Sequence, residues 1–177
     1  KSTTDFDTDS DGYLERTAWF GPDDGLLIID LAEDGSAGAD GKISNADEIA
    51  FANWHEDAKT DLEGLKLAFD SNNDGVFDNR DDRFDEFRIW QDRDSDGVVD
   101  AGEMVKLDEA GIQSISLDTR EGTGDVLPDG TVIHGLVDVQ KTGVLFYVTT
   151  GTRIAQTSSF FRKMGMTMLG RNYAIRV

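Results

Sequence analysis

Two stretches decide the reading of this chain: Asp70-Ser-Asn72-Asn-Asp74-Gly75-Val76-Phe77-Asp78-Asn-Arg-Asp81 and Asp92-Arg-Asp94-Ser-Asp96-Gly97-Val98-Val99-Asp100-Ala-Gly-Glu103. Both follow the twelve-residue spacing of an EF-hand loop. Oxygens at positions 1, 3 and 5 of a tight turn converge on one point, and glycine at position 6 takes the positive-φ bend. The main-chain carbonyl at 7 adds a ligand, position 9 acts directly or through water, and the acid at 12 closes the shell. The first loop therefore offers Asp70, Asn72, Asp74, the Val76 carbonyl, Asp78 and Asp81. The second offers Asp92, Asp94, Asp96, the Val98 carbonyl, Asp100 and Glu103. All are hard oxygen donors, which favour Ca2+ over Zn2+ or Cu2+.

Working outward, Thr60 and Glu63 form a capping box, and Leu62, Leu65 and Phe69 fall on one face of a helix running into Asp70. The motif then predicts a short exit helix over Asn79 to Phe87 and another helix over Ala101 to Ala110, closed by Gly111. Phe77 and Val99, at position 8 of each loop, suit the β-bridge that joins facing loops. Leu26 to Ile29 reads as a buried strand, Ile112 to Leu117 as another, and Thr131 to Val148 as a hairpin turning about Gln140-Lys141-Thr142-Gly143. The expected fold is α+β: paired EF-hand-like calcium loops with short helices, plus short strands and a C-terminal β-hairpin.

Two further loops lie upstream. Asp7, Asp9, Asp11, the Tyr13 carbonyl and Glu15 match the first nine positions, but Ala18 stands at position 12, so a closing oxygen would have to come from outside, from Asp23 or Asp24. From Asp30, a loop with a lengthened first half resumes the pattern at Asp40-Gly41-Lys42-Ile43 and ends near Glu48. Asp30, Asp40, the Lys42 carbonyl and Glu48 are its candidate ligands, while Ser44 with Asp47 also reads as a helix cap.

The 177 residues suffice for one domain with a real core. Thirty-six acids against 17 bases leave a net charge of -19, which excludes a nucleic-acid binder, since that needs a basic face. No apolar run reaches the roughly 18 residues of a membrane span. The absence of Cys removes disulfides and thiolate metal sites, and a chain opening on Lys1 reads as part of a longer protein. Residues 139–177 hold no acid and six bases, whereas residues 1–138 carry net -25. We accordingly divide the chain into a calcium-binding module, 1–148, and a basic, apolar tail, 149–177, packed on it. His55 and His134 are the only imidazoles, and neither a zinc helix nor a nucleophile elbow is present.

Residues 13–30, the two loops, Phe87-Arg-Ile-Trp90-Gln-Asp92 and Gly111-Ile-Gln-Ser-Ile115-Ser-Leu117 together resemble the calcium-binding self-processing module of large RTX-type bacterial proteins. The likeness covers residues 5–120 and, more faintly, the stretch to 148. It implies a monomeric module of a secreted or cell-surface adhesin or toxin, exported by type I secretion and folding on external calcium. It also implies autocatalytic cleavage of an Asp-Pro bond at the module's N-terminal edge. This chain has no Asp-Pro, because Pro22 follows Gly21 and Pro128 follows Leu127. Two functions are thus expected, in order: a calcium-folded structural module, not an enzyme as it stands, or an autoproteolytic module whose scissile bond lies outside this sequence.

Overall fold

Strands dominate the computed structural model, which describes residues 4–6, 13–16, 19–118, 125–126, 132–133, 135–142, 162–169 and 172–176. Two short strands, β1 (Asp5–Phe6) and β2 (Glu15–Arg16), pair with each other. They are followed by β3 (Asp24–Ile29) and by α1 (Asp61–Phe69), the one α-helix among the described residues. Next come β4 (Val76–Asp78), β5 (Phe87–Trp90), β6 (Met104–Lys106) and β7 (Ile112–Ser116). Then follow β8 (Asp125–Val126), β9 (Val132–Ile133), β10 (Gly135–Lys141), β11 (Arg162–Leu169) and β12 (Asn172–Arg176). Eight strands form one antiparallel sheet in the order β4-β7-β10-β11-β12-β3-β5-β6, and β8 pairs with β9.

This corrects the α+β expectation: the protein is mostly β, and paired EF-hand helices do not flank its loops. The reason lies in competing local signals. Over 79–87 only a 3-10 turn forms, at Phe84–Glu86. Phe87-Arg-Ile-Trp90 is rich in β-formers and buries Phe87, Ile89 and Trp90 as β5, leaving too few residues for an exit helix. Over 101–110, Gly102 sits at φ +88°, which breaks a helix at its start. Met104–Lys106 then pairs with β5, Val105 opposite Ile89. The hairpin is also overturned: Gln140 and Lys141 lie inside β10, whose partners are β7 and β11. Residues 143–148 lie outside the described residues.

The entering helix forms as its capping box directs. Thr60 Oγ1 accepts from the Glu63 N–H, and Glu63 Oε2 accepts from the Thr60 N–H. Leu62, Leu65 and Phe69 are buried against Phe51 and Phe87 in the larger core. A Cβ on Gly64 would lie 2.0 Å from the Phe51 carbonyl oxygen, so the helix approaches the 3-10 turn Phe51–Trp54 more closely than any side chain permits. Gly64→Ala is expected to destabilise the protein by about 3 kcal/mol or more, because backbone must move; a denaturant melt within 1 kcal/mol of wild type, on the order of ordinary surface changes, would contradict this packing.

β3 is buried on both faces, as a continuous apolar run requires. Leu27 and Ile29 join the larger core, with Phe77, Phe87, Ile89 and Ile115. Leu26 and Ile28 join a second one, with Phe20, Ile49 and Trp90. The two cores explain a further correction. Phe77 pairs with Ile115 on β7 and packs 4.6 Å from the Phe87 ring, whereas Val99 packs in the second core. No strand of one loop pairs with a strand of the other, so the facing pair does not form: each loop is pinned through position 8 to a different core.

Candidate metal centre

The loops keep their expected internal geometry although, of the expected flanking helices, only α1 before Asp70 forms. Asp70 Oδ1 accepts from the Asp74 N–H at 3.1 Å and Oδ2 from the Gly75 N–H at 2.9 Å. Asp92 does the same with Asp96, at 3.2 Å, and Gly97, at 2.9 Å. At the closing position, Asp81 accepts from the Ser71 and Asp78 N–H groups, both at 2.9 Å. Glu103 accepts from Arg93 at 2.8 Å and Asp100 at 3.1 Å. Gly75 and Gly97 share φ +79°, and the residues at position 4, Asn73 and Ser95, also take left-handed values of 58° and 62°. Asn72, Asp74 and Asp96 each sit in a tight turn, the side chain of Asn72 accepting from the Asp74 N–H and those of the two acids from the N–H groups of Val76 and Val98.

The lengthened loop at 30–48 repeats the plan. Asp30 Oδ1 accepts from the Asp40 and Gly41 N–H groups at 3.1 and 3.0 Å, and Gly41 turns at φ +74°. Glu48 Oε1 accepts from Leu31 at 3.0 Å, while Oε2 accepts from Ser44 and Asn45. Asn45, not Ser44, is the helix cap: its side chain accepts from the Asp47 N–H and Glu48 completes the capping box. Carboxylate oxygens of Asp30, Asp40 and Glu48 lie within 4.8 Å of one another, as do those of Asp92, Asp94 and Asp96. The Lys42 N–H donates to Asp40 Oδ1 within the same turn. Of the earliest loop, Asp7, Asp9 and Asp11 lie outside the described residues, and Tyr13 is exposed.

Burial separates these acids from the rest of an acidic surface. Among the described residues the buried acids are Asp30, Glu48, Asp61, Asp70, Asp81, Asp92 and Glu103. All but Asp61 are the first or closing residue of a loop. Burying a carboxylate is costly unless it is paired and hydrogen-bonded, and here backbone N–H groups supply part of the compensation. The remainder shows in the electrostatics: burial pushes the Glu48 carboxyl above the usual range against the pull of three N–H donors. Asp94, an exposed residue of loop 92, is also raised, by loss of hydration and then by the charges of Asp96 and Glu103. In loop 70, by contrast, the Arg80 guanidinium holds Asp78 below its ordinary value. The donors are carboxylate, amide and carbonyl oxygens without exception, which suits Ca2+.

A family model for the SPM domain matches residues 1–143. The chain belongs to the SPM domain family. Over 116 residues, 63% of its length, this SPM domain is 35% identical to the iron-regulated protein FrpA of Neisseria meningitidis serogroup C. It spans about a tenth of that relative's length, 10% being matched, so the relative is a far larger protein. Among the described residues no helix is long and apolar enough to cross a membrane.

Sequence reasoning missed the groups that reach the loops of this SPM domain from elsewhere. The Trp19 indole N–H donates to Asp92 Oδ2 at 2.6 Å, and Thr4 Oγ1 donates to the Ser95 carbonyl at 2.8 Å. These contacts seat the N-terminal segment on the second loop, with Phe6 against Trp19 and Trp90. Separations of 73 and 91 residues leave no local signal for them. Arg88 Nε lies 3.5 Å from Asp30 Oδ2, again a contact made by tertiary packing. Arg80 is different: it stands inside its own loop, at position 11, and its charge was visible there. His55 makes only a local turn with Asp57.

Proposed function

We propose that this chain is a calcium-binding module of a large secreted RTX-type protein, an adhesin or toxin, in which the ion is a folding ligand and the product is a rigid domain outside the cell. The observation that carries the reading is the burial of the first and closing carboxylates in three loops that share one backbone hydrogen-bond plan. In loop 92, Ca2+ would be held by Asp92, Asp94, Asp96, the Val98 carbonyl, Asp100 and Glu103. In loop 70 the holders would be Asp70, Asn72, Asp74, the Val76 carbonyl, Asp78 and Asp81. Asp30, Asp40, the Lys42 carbonyl and Glu48 form the third set. The bound ion supplies positive charge that carboxylates crowded into a protein interior otherwise lack. The SPM family match and the size of the FrpA relative support a module within a longer chain. Cleavage of an Asp-Pro bond gains no support from the 177 residues, which contain none.

Calorimetry with Ca2+ on chelator-treated protein is the test, and at least two binding events are expected. Glu103 reaches one methylene further than Asp81 and can close the shell bidentately, so Glu103→Gln is expected to weaken calcium more than Asp81→Asn, and loop 92 to reject Mg2+ better than loop 70. The absence of any binding heat at millimolar Ca2+, with unchanged tryptophan fluorescence, would refute the function; the reverse mutant order would refute only the ranking.

A further inference from the structure

Loops 70 and 92 share a backbone plan but not a charge balance. At position 11, loop 70 carries Arg80 and loop 92 carries Gly102. The Arg80 guanidinium curls back across its own loop. Its Nε donates to Asp78 Oδ1 and Oδ2 at 3.0 and 3.1 Å, and its Nη2 lies 2.7 Å from Asp78 Oδ2 and 2.8 Å from Asp74 Oδ2. Asp74 and Asp78 are positions 5 and 9 of the loop, both candidate ligands. The Asp74 oxygen taken by Arg80 is the one its own turn leaves spare, since Oδ1 already accepts from the Val76 N–H. In loop 92 the base nearest in sequence, Arg93, turns away to Gln91 Oε1 at 3.4 Å, and no described basic side chain is paired with Asp94, Asp96 or Asp100.

We propose that Arg80 is a tethered cation that competes with the divalent ion for Asp74 and Asp78, so that loop 70 fills only after its arginine is displaced whereas loop 92 fills unopposed. The proposal rests on the calcium reading above and adds to it an order of filling. A guanidinium cannot complete a shell of six or seven oxygens, but it offsets the repulsion between two carboxylates. The calcium-free loop is thereby held in its folded shape, and the ion that enters must break the Arg80 contacts first. Arg80 is more than half exposed, so its pairs are screened and the handicap is modest. The loop therefore remains a binding site with a raised threshold.

The test is a Ca2+ titration of the full chain followed by the amide resonances of Gly75 and Gly97. Their N–H groups donate to Asp70 and Asp92 and so report each loop separately. In wild type, the Gly97 midpoint is expected at lower Ca2+ than the Gly75 midpoint. Arg80→Gln should lower the Gly75 midpoint by about fivefold, the upper end for a screened ion pair, and leave Gly97 within about twofold, the low end of that range. Arg80→Lys, which keeps the charge but cannot fork between two carboxylates, should fall between. Lys59→Gln, which changes net charge equally outside the loop, should move neither. An unchanged or raised Gly75 midpoint in Arg80→Gln overturns the proposal while leaving calcium binding intact, as does an equal shift from Lys59→Gln. Failure of both glycines to respond in wild type overturns the calcium reading and this proposal together.

Discussion

Chelation of calcium is expected to cost this SPM domain more stability than any single substitution. A ligand that binds only the folded form stabilises by RT ln(1 + [L]/Kd), about 4 kcal/mol for each site at a thousandfold excess over Kd. For a chain of this length each kcal/mol moves the midpoint by about 2–4 °C, so each filled loop raises it by roughly 8–16 °C. On the proposed reading the gain comes from the partly compensated charge of the buried acids Asp30, Glu48, Asp70, Asp81, Asp92 and Glu103. Thermal melts followed by circular dichroism in EDTA and in millimolar Ca2+ measure it, with Mg2+ as the comparison. Superimposable melts in all three conditions would remove the basis for treating the ion as a folding ligand.

The substitution with the largest expected effect is Asp92→Asn. Asp92 is fully buried, and its two oxygens accept from three donors, the N–H groups of Asp96 and Gly97 and the Trp19 indole. An amide can keep only one oxygen there and turns its own NH2 toward the donors. Hydrogen bonds to a charged acceptor contribute about 1.5–3 kcal/mol each, so a loss of about 3–5 kcal/mol is expected even in EDTA, with calcium binding at loop 92 lost on top of it. The damage should spread to the N-terminal segment. The Trp19 indole is left with a neutral and weaker acceptor, and Phe6, Thr4 and the Asp5 carbonyl, 3.1 Å from where a Cβ on Gly97 would stand, lie on the same loop. Tryptophan emission should shift toward that of solvated indole, and the amides of residues 4–6 should lose protection from hydrogen exchange. Emission and protection equal to wild type in Asp92→Asn would show that the segment is held by the aromatic contacts and the Thr4–Ser95 bond, without need of the Asp92 charge.

How much of the molecule the sequence discloses depends on the range over which each signal acts. Loops 70 and 92 are local objects: each side chain lies within about one loop length, two to ten residues, of its backbone partner, with a glycine at position 6 of each. Their spacing therefore reveals the backbone plan of the loops at 70–81 and 92–103, and the capping box of α1 and the buried run Leu26 to Ile29 are legible in the same way. The sequence likewise determines the oxygen-only side chains of the candidate site and the net negative charge of the chain. The exit helices do not form because Phe87–Trp90 is rich in β-formers and Met104–Lys106 follows a positive-φ glycine, so cross-strand pairing of β5 with β3 and β6 outweighs a short helix. Only the tertiary structure decided that Phe77 and Val99 enter different cores, which separates loops that the motif alone would have made face each other. Only it could bring Trp19 to Asp92, Arg88 to Asp30 and the strands β11 and β12 between β10 and β3, because such contacts depend on where distant segments meet in a packed sheet and leave no periodicity along the chain.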